Sequence, residues 1–66
     1  MIMRRRSIEK SRIVMNNIVT SYLNDGYILK SMTDRKSKFI VQMRNEKHYI
    51  YIEVYKYYAM QTTEVY

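Results

Sequence analysis

The segment from Lys47 to Tyr58 constrains the fold more than any other part of the chain, because apolar and aromatic residues alternate along it. Successive side chains of a β-strand point to opposite faces of the sheet. One face of this segment carries Ile50, Ile52 and Val54, and the other face is mainly aromatic. That second row consists of Tyr49, Tyr51, Glu53, Tyr55 and Tyr57. The alternation predicts a strand with one face in the core and a tyrosine-rich face directed away from it.

The segment from Ser7 to Asn24 has the periodicity of an amphipathic helix. Ser7 is a suitable N-cap, and Gly26 can adopt the left-handed conformation that often ends a helix. Arg12 falls at the edge of the apolar arc, where its aliphatic stem can lie along the core while the guanidinium stays in water. Ile13 falls on the polar side, where a single exposed apolar residue is ordinary. The apolar arc consists of Ile8, Met15, Ile18, Val19, Tyr22 and Leu23.

Three strands separated by short polar connections are predicted after the helix. They cover residues 27–33, 37–44 and 47–58. Short connections favour antiparallel neighbours in a meander. The predicted fold is therefore α+β, a single two-layer domain over residues 1–66 with an N-terminal helix packed on a three-stranded antiparallel sheet (αβββ). Residues 1–6 form a basic arm in this prediction, and residues 59–66 form a tail that extends the last strand, makes a turn of helix or frays.

The length and composition limit both the core and the expected location. A chain of 66 residues buries only about 60% of its unfolded surface, and it has no cysteine that would supply a disulfide. No apolar run approaches the roughly 18 residues that span a bilayer, and no apolar stretch follows the basic N-terminus as in a signal peptide. We therefore expect a soluble, cytoplasmic protein.

The residue types on which enzymes and metal sites depend are scarce. The chain has one histidine, His48, one glycine and no cysteine, and its six carboxylates are scattered. A serine triad, a phosphate-binding loop and a zinc site each need more than this. The sequence predicts a protein that is not an enzyme and that uses no metal or other cofactor.

The net charge of +6 is unevenly distributed along the chain. Five cations lie within the first twelve residues, and a second cluster follows Asp34. Such clusters attract polyanions, although an excess of basic residues also serves solubility alone. The clustered cations are Arg4, Arg5, Arg6, Lys10, Arg12, Arg35, Lys36 and Lys38.

An open aromatic face beside basic residues is typical of sheet-based nucleic-acid binders, which stack bases on the rings and contact phosphates with lysine and arginine. Isoleucine, lysine, asparagine and tyrosine supply 26 of the 66 residues, a bias typical of AT-rich coding sequence. We therefore expect a small nucleic-acid-binding or accessory protein of phage or mobile-element type. The predicted contact residues are Arg4, Arg5, Arg6, Arg12, Arg35, Lys36, Lys38, Arg44, Tyr49, Tyr51, Tyr55 and Tyr57.

Other interpretations of the same face remain open. Tyrosine, methionine and arginine are enriched in protein interfaces, so the face also suits an inhibitor or regulator that binds an acidic protein surface, such as an anti-CRISPR or anti-restriction protein. Cross-strand tyrosines also stabilise a sheet with no partner at all. The long third strand, if it lies at the edge of the sheet, permits a homodimer through pairing with a second copy. Membrane binding is not expected, because the apolar arc of the helix is needed for the core.

Overall fold

A helix packed on a four-stranded antiparallel sheet is the architecture of the chain in a computed structural model, which describes residues 5–66. The elements in chain order are α1 (Ile8–Asn24), β1 (Ile28–Asp34), β2 (Lys38–Arg44), β3 (Tyr49–Tyr55) and β4 (Gln61–Val65). Each strand pairs with its neighbour in sequence, in the order β1-β2-β3-β4. The predicted α+β class, with an N-terminal helix on a meander, is confirmed, but the sheet has four strands and not three.

Local capping interactions define both ends of α1. The Ser7 hydroxyl accepts a hydrogen bond from the Lys10 N–H at 3.2 Å. At the other end the Gly26 N–H donates to the Leu23 carbonyl at 3.1 Å, and the Tyr27 N–H donates to the Tyr22 carbonyl at 3.0 Å. This pair of bonds is a Schellman motif, and it needs the positive φ of +90° that Gly26 adopts. The predicted N-cap and glycine stop are both confirmed.

The core lies between α1 and the two central strands. In the β2–β3 register Phe39 faces Val54, and Val41 faces Ile52. These inward rows pack under Met15 of the helix. Eight apolar side chains are buried in total, namely Met15, Val19, Phe39, Val41, Met43, Ile50, Ile52 and Val54. As expected, the two aliphatic rows of the predicted second and third strands meet under the helix.

The helix crosses the sheet diagonally because its two ends are fixed to different strands. Near its start, the fully buried Ser11 hydroxyl donates to the Lys56 carbonyl at 2.5 Å, just beyond the end of β3. At its end the chain passes directly through Gly26 into β1. Two corners of the helix-facing side of the sheet are therefore poorly covered, and Met32 of β1 and Val65 of β4 are 46% and 58% exposed there.

The predicted third strand and tail are the part of the fold that the sequence prediction placed wrongly. β3 ends at Tyr55, and the chain reverses over residues 56–60. The Tyr55 N–H donates to the Met60 carbonyl at 3.0 Å, which starts the pairing with β4. Lys56 is the next residue of the inward row after Val54 and is only 8% exposed. The alternation of buried and exposed residues therefore continues beyond the end of β3, and the sequence alone does not show where the strand ends. The connection also lacks glycine and proline, the usual turn signals.

The β2–β3 connection is longer than predicted, since β3 begins at Tyr49 and not at residue 47. The Asn45 side-chain oxygen accepts from the N–H groups of Lys47 and His48, at 2.8 and 2.7 Å. An asparagine that caps its own turn in this way makes a stable four-residue connection without glycine. Within residues 5–66 no helix has both the length and the apolar character needed to cross a bilayer.

Candidate functional site

The fold gathers most of the described cations at one end of the sheet, where β1 and β3 end and where β2 and α1 begin. We call this region the basic end. Three carboxylates, Glu9, Asp34 and Glu53, lie in the same half of the domain. The cations of the basic end are Arg5, Arg6, Lys10, Arg12, Arg35, Lys36, Lys38 and Lys56. The basic end therefore carries a clear excess of positive charge.

The opposite half of the domain is electrically balanced. It contains the start of β1, the β2–β3 connection and the end of β4. Its three cations are matched by three carboxylates, and these six residues are Lys30, Arg44, Lys47, Asp25, Glu46 and Glu64. The net charge of the described chain is thus concentrated at one end. Arg44 pairs with Tyr49 in the β2–β3 register and lies away from the other predicted basic contact residues.

Two cations of the basic end cover the ring of Phe39. The Arg12 guanidinium carbon lies 5.6 Å from the ring centroid, and the Lys56 ammonium nitrogen lies 4.9 Å from it. Lys56 also forms an ion pair with Asp34 of β1. Contacts of this kind hold a cation in place, and Lys56 is buried by them whereas Arg12 is exposed. Arg12 is exposed overall and lies at the edge of the core as predicted, but the group that contacts the core ring Phe39 is its guanidinium.

The β1–β2 hairpin presents two further cations. Arg35 and Lys36 lie in the turn, which the Arg35 N–H closes by donating to the Lys38 carbonyl at 2.9 Å. Both residues are exposed, and in the described part of the chain neither side chain belongs to an ion pair. Their charges are therefore available to a partner at little cost in desolvation or broken contacts.

The predicted N-terminal arm is docked where the structure describes it. Arg5 pairs with Tyr58 in an antiparallel bridge, and the Arg6 N–H donates to the Tyr57 carbonyl at 2.9 Å. The Arg6 guanidinium Nε donates to the Tyr58 carbonyl at 2.9 Å. Arg6 thus holds the β3–β4 connection in place while its charge stays at the basic end. The predicted contact residue Arg4 lies outside the described residues.

Two exposed tyrosines lie in the β3–β4 connection, against which the N-terminal arm is docked. Tyr57 and Tyr58 are 38% and 42% exposed, in the connection that Arg5 and Arg6 contact. Tyr57 was predicted to continue the tyrosine row of β3, but the strand ends at Tyr55, so the row on the strand has three tyrosines and not four. Tyr58 was not predicted as a contact residue. The signal that identifies it is the Tyr57-Tyr58 pair, which breaks the alternation that a continuing strand would keep.

The open face of the sheet is centred on an ion pair. The Lys38 ammonium lies 2.5 Å from a Glu53 carboxylate oxygen. The hydroxyls of Tyr51 and Thr62 also donate to this carboxylate, at 3.4 and 3.2 Å. The hydrogen bond from Lys38 is the main cause that lowers the pKa of Glu53, and the same bond raises the pKa of Lys38. Lys38 therefore stays charged, and Glu53 balances its charge within the chain.

The tyrosines of β3 also interact with neighbours on the open face. The Tyr49 hydroxyl donates to the Gln42 side-chain oxygen, and its ring lies 6.4 Å from that of Tyr66. The Lys38 ammonium lies 5.5 Å from the ring centroid of Tyr55. Tyr49, Tyr51 and Tyr55 are all partly buried. Their contacts stabilise the sheet, and they leave less ring surface for a partner than Tyr57 and Tyr58 do.

A shallow depression lies in the opposite half, away from the positive charge. It is lined by Gly26, Ile28, Arg44, Asn45 and Glu46. Of the predicted contact residues, only Arg44 lies beside it. Across residues 5–66 no group of three or more histidine, aspartate or glutamate side chains is placed to hold a metal ion. The depression therefore lies apart from the charge and the exposed tyrosines of the basic end.

No protein-family model, no curated protein and no solved structure matches this chain. Its fold class is therefore established by its own elements, and its function has to be inferred from the placement of its side chains.

Acid titration offers a direct check of the Lys38–Glu53 pair. Because the pKa of Glu53 is lowered in the folded state, its contribution to stability is present above the unfolded value of about 4.3 and is lost as the pH falls through the folded value. We expect Glu53→Gln to lower the urea concentration at half-unfolding at pH 6. In this variant that concentration should also fall less steeply than in the native chain as the pH decreases from 6 to about 2. Glu46→Gln, at an exposed carboxylate of the β2–β3 connection, is the matched control, and an equal change in both variants would contradict the pair.

Proposed function

We propose that this protein binds nucleic acid through the basic end. Phosphates are contacted by the exposed cations of the β1–β2 hairpin and of the start of α1, and bases stack on Tyr57 and Tyr58. The observation that carries the proposal is the convergence of three separate segments, residues 5–12, 35–38 and 56–58, at one end of the fold. Basic residues that served solubility alone would need no such convergence.

The electrostatics of this end favour a polyanion. Closely spaced lysine and arginine side chains displace the counterions that surround a phosphate backbone, and the release of those counterions drives binding. Of the eight cations, Lys38 and Lys56 are in ion pairs with carboxylates of the same chain. Five of the other six cations are exposed, and Arg35 and Lys36 lie in the hydrogen-bonded turn of the β1–β2 hairpin. Because the opposite half is balanced, a polyanion is attracted to one end and not to the whole surface.

The exposed tyrosines favour a single strand over a duplex. Bases of a single strand are unstacked and can pack on aromatic rings, whereas the bases of a duplex are covered by their neighbours. Tyr57 and Tyr58 lie beside Arg5 and Arg6, so rings and charges are adjacent along one connection. We therefore propose single-stranded DNA or RNA as the preferred ligand, with little dependence on base sequence.

The test is fluorescence anisotropy with labelled single- and double-stranded DNA and RNA between about 50 and 200 mM salt, a range over which binding through several phosphate contacts weakens by orders of magnitude. We expect tighter binding to single strands, with an affinity that falls as salt rises. Tyr58→Ala should weaken single-strand binding by about tenfold, since base stacking on one ring is worth about 1–3 kcal/mol. Tyr66→Ala is the control, because Tyr66 is an exposed tyrosine in the opposite half.

Two results would contradict the proposal. One is the absence of binding to all four nucleic acids at the lowest salt, which would favour an acidic protein surface as the partner of the basic end. The other is an equal loss of affinity in Tyr58→Ala and Tyr66→Ala, which would show that the rings at the basic end have no special part in binding.

A further inference from the structure

The edge strand β4 has a single charged residue, Glu64, to prevent the sheet from pairing with another copy of itself. Among residues 5–66, no strand pairs with β4 on the side away from β3. All five of its residues, Gln61–Val65, are exposed, and none of them is lysine, arginine or proline. Edge strands of soluble proteins usually carry such residues or a bulge. We propose that two copies of this chain associate through β4, which forms one continuous antiparallel sheet.

The backbone groups of β4 are arranged for this pairing. The N–H and carbonyl of Tyr66 both bond to Tyr49, at 2.8 and 3.0 Å, and the Met60 carbonyl accepts from Tyr55. Since inward- and outward-directed residues alternate along an antiparallel strand, Gln61, Thr63 and Val65 direct their N–H and carbonyl groups outward. Three successive outward residues provide a complete short hydrogen-bonding edge.

The outward residues also define a symmetric register. If Thr63 pairs with Thr63 of the second copy, then Gln61 faces Val65 and Val65 faces Gln61. An edge that is complementary to itself about a two-fold axis is what a homodimer requires. In this register Glu64 lies opposite Thr62 and not opposite the second Glu64, so no carboxylates are directly paired. The exposed Val65 side chain is then partly covered at the seam on the helix-facing side.

The charge distribution suits an antiparallel arrangement. The basic end lies at the start of β4, and antiparallel pairing directs the two basic ends away from each other. The like charges of the two copies are thus separated along the sheet, where salt screens them. Both helices lie on the same side of the joined sheet. The dimer does not depend on nucleic-acid binding. It leaves Arg35 and Lys36 of each copy exposed, because the β1–β2 hairpin lies at the opposite edge of the sheet from β4.

The other edge strand of the sheet, β1, is protected against pairing with a second copy. β1 has an irregularity between Leu29 and Ser31, where Lys30 has no partner in the register of the pairing with β2. A bulge that carries an exposed lysine disrupts the regular spacing that a second copy needs. A dimer through β1 is therefore not expected.

The test is sedimentation equilibrium of the full chain, whose mass is 8.2 kDa, over a concentration series that reaches about 1 mM, because a strand pair this short buries less surface than a standard interface. We expect the mass to rise towards that of two chains. Thr63→Pro removes an outward N–H without removing a bond to β3, and it should weaken dimerisation at least tenfold. A mass of one chain across the whole series would overturn the proposal.

A second substitution guards against loss of the fold in Thr63→Pro. Val65→Lys places a charge at the seam, and we expect it also to weaken the dimer at least tenfold. Leu29→Lys makes a similar change at an exposed aliphatic residue on the helix-facing side of β1, and it should leave the dimer unchanged. If Thr63→Pro and Val65→Lys are folded by circular dichroism and still dimerise as the native chain does, the proposal is wrong.

Amide hydrogen exchange distinguishes pairing of β4 with a second copy from pairing of β4 with another segment of the same chain. In the dimer the amides of Gln61, Thr63 and Val65 should gain protection as the protein concentration rises. Protection that is independent of concentration in a monomeric protein would overturn the proposal, because the edge would then be covered by a segment of the same chain.

Discussion

Ile52→Ala is expected to leave the domain largely unfolded at room temperature. Ile52 is fully buried opposite Val41, in the middle of the core under α1. Truncating a buried isoleucine costs about 2–5 kcal/mol, since it removes apolar contacts and leaves a cavity. A core in a chain of this length rarely supplies more than about 3–5 kcal/mol of net stability. Urea denaturation followed by far-ultraviolet circular dichroism measures the loss.

Ile40→Ala is the matched control for this prediction. Ile40 lies on the neighbouring strand β2 but on the open face, where it pairs with Glu53 and is only partly buried. Its truncation should cost less than half as much as that of Ile52, because part of the side chain already contacts water. Equal losses in the two variants would contradict the assignment of the two faces of the sheet.

Ser11→Val is expected to produce the second-largest loss of stability. Ser11 is fully buried where α1 approaches the end of β3, and its hydroxyl lies 2.5 Å from the Lys56 carbonyl and 3.0 Å from the Tyr55 carbonyl. Valine adds volume at this contact and leaves a buried carbonyl without its donor, which together cost about 2–4 kcal/mol. The free energy of unfolding from urea titration is again the measurement.

Ser21→Val provides the comparison on the same helix. Ser21 is exposed, so the same change of residue there should alter stability by less than about 0.5 kcal/mol. Ser11→Ala should fall between the two valine variants, because it removes the hydroxyl without adding volume. If Ser11→Val is as stable as Ser21→Val, the close approach of α1 to β3 is wrong.

The elements that were predicted correctly are those with strong local signals. The bounds of α1 follow from the apolar periodicity, the Ser7 cap and the left-handed Gly26. The inward rows of β2 and β3 follow from strict alternation, and the structure pairs them as expected. Each of these signals lies within a few residues of the feature it specifies, so no knowledge of the tertiary structure was needed.

The fourth strand was missed because its residues carry no pattern of burial. All five residues of β4 are exposed, so its sequence has no apolar alternation to detect. The turn before it is stabilised by contacts that are remote in sequence, including the ion pair between Lys56 and Asp34 and the bonds from Arg6. Interactions across more than twenty residues depend on the whole fold and cannot be inferred from a local segment.

The candidate site was predictable in its residue types but not in its arrangement. The sequence indicated the cations of residues 4–12 and 35–38, but their proximity depends on the diagonal placement of α1. That placement is fixed by the buried Ser11 contact, which no local pattern of residues indicates. The tyrosines of β3 proved to be engaged with Gln42 and Glu53, and the more exposed rings lie beyond the strand.

The central claim is that one end of the domain, and not its overall charge, binds nucleic acid. The most direct test compares Lys36→Glu with Lys47→Glu by anisotropy on labelled single-stranded DNA at fixed salt. Both residues are exposed lysines in hairpin connections, at opposite ends of the sheet, and both substitutions change the net charge equally. We predict that Lys36→Glu weakens binding at least fivefold while Lys47→Glu weakens it less than twofold. Equal losses in the two variants would contradict the claim.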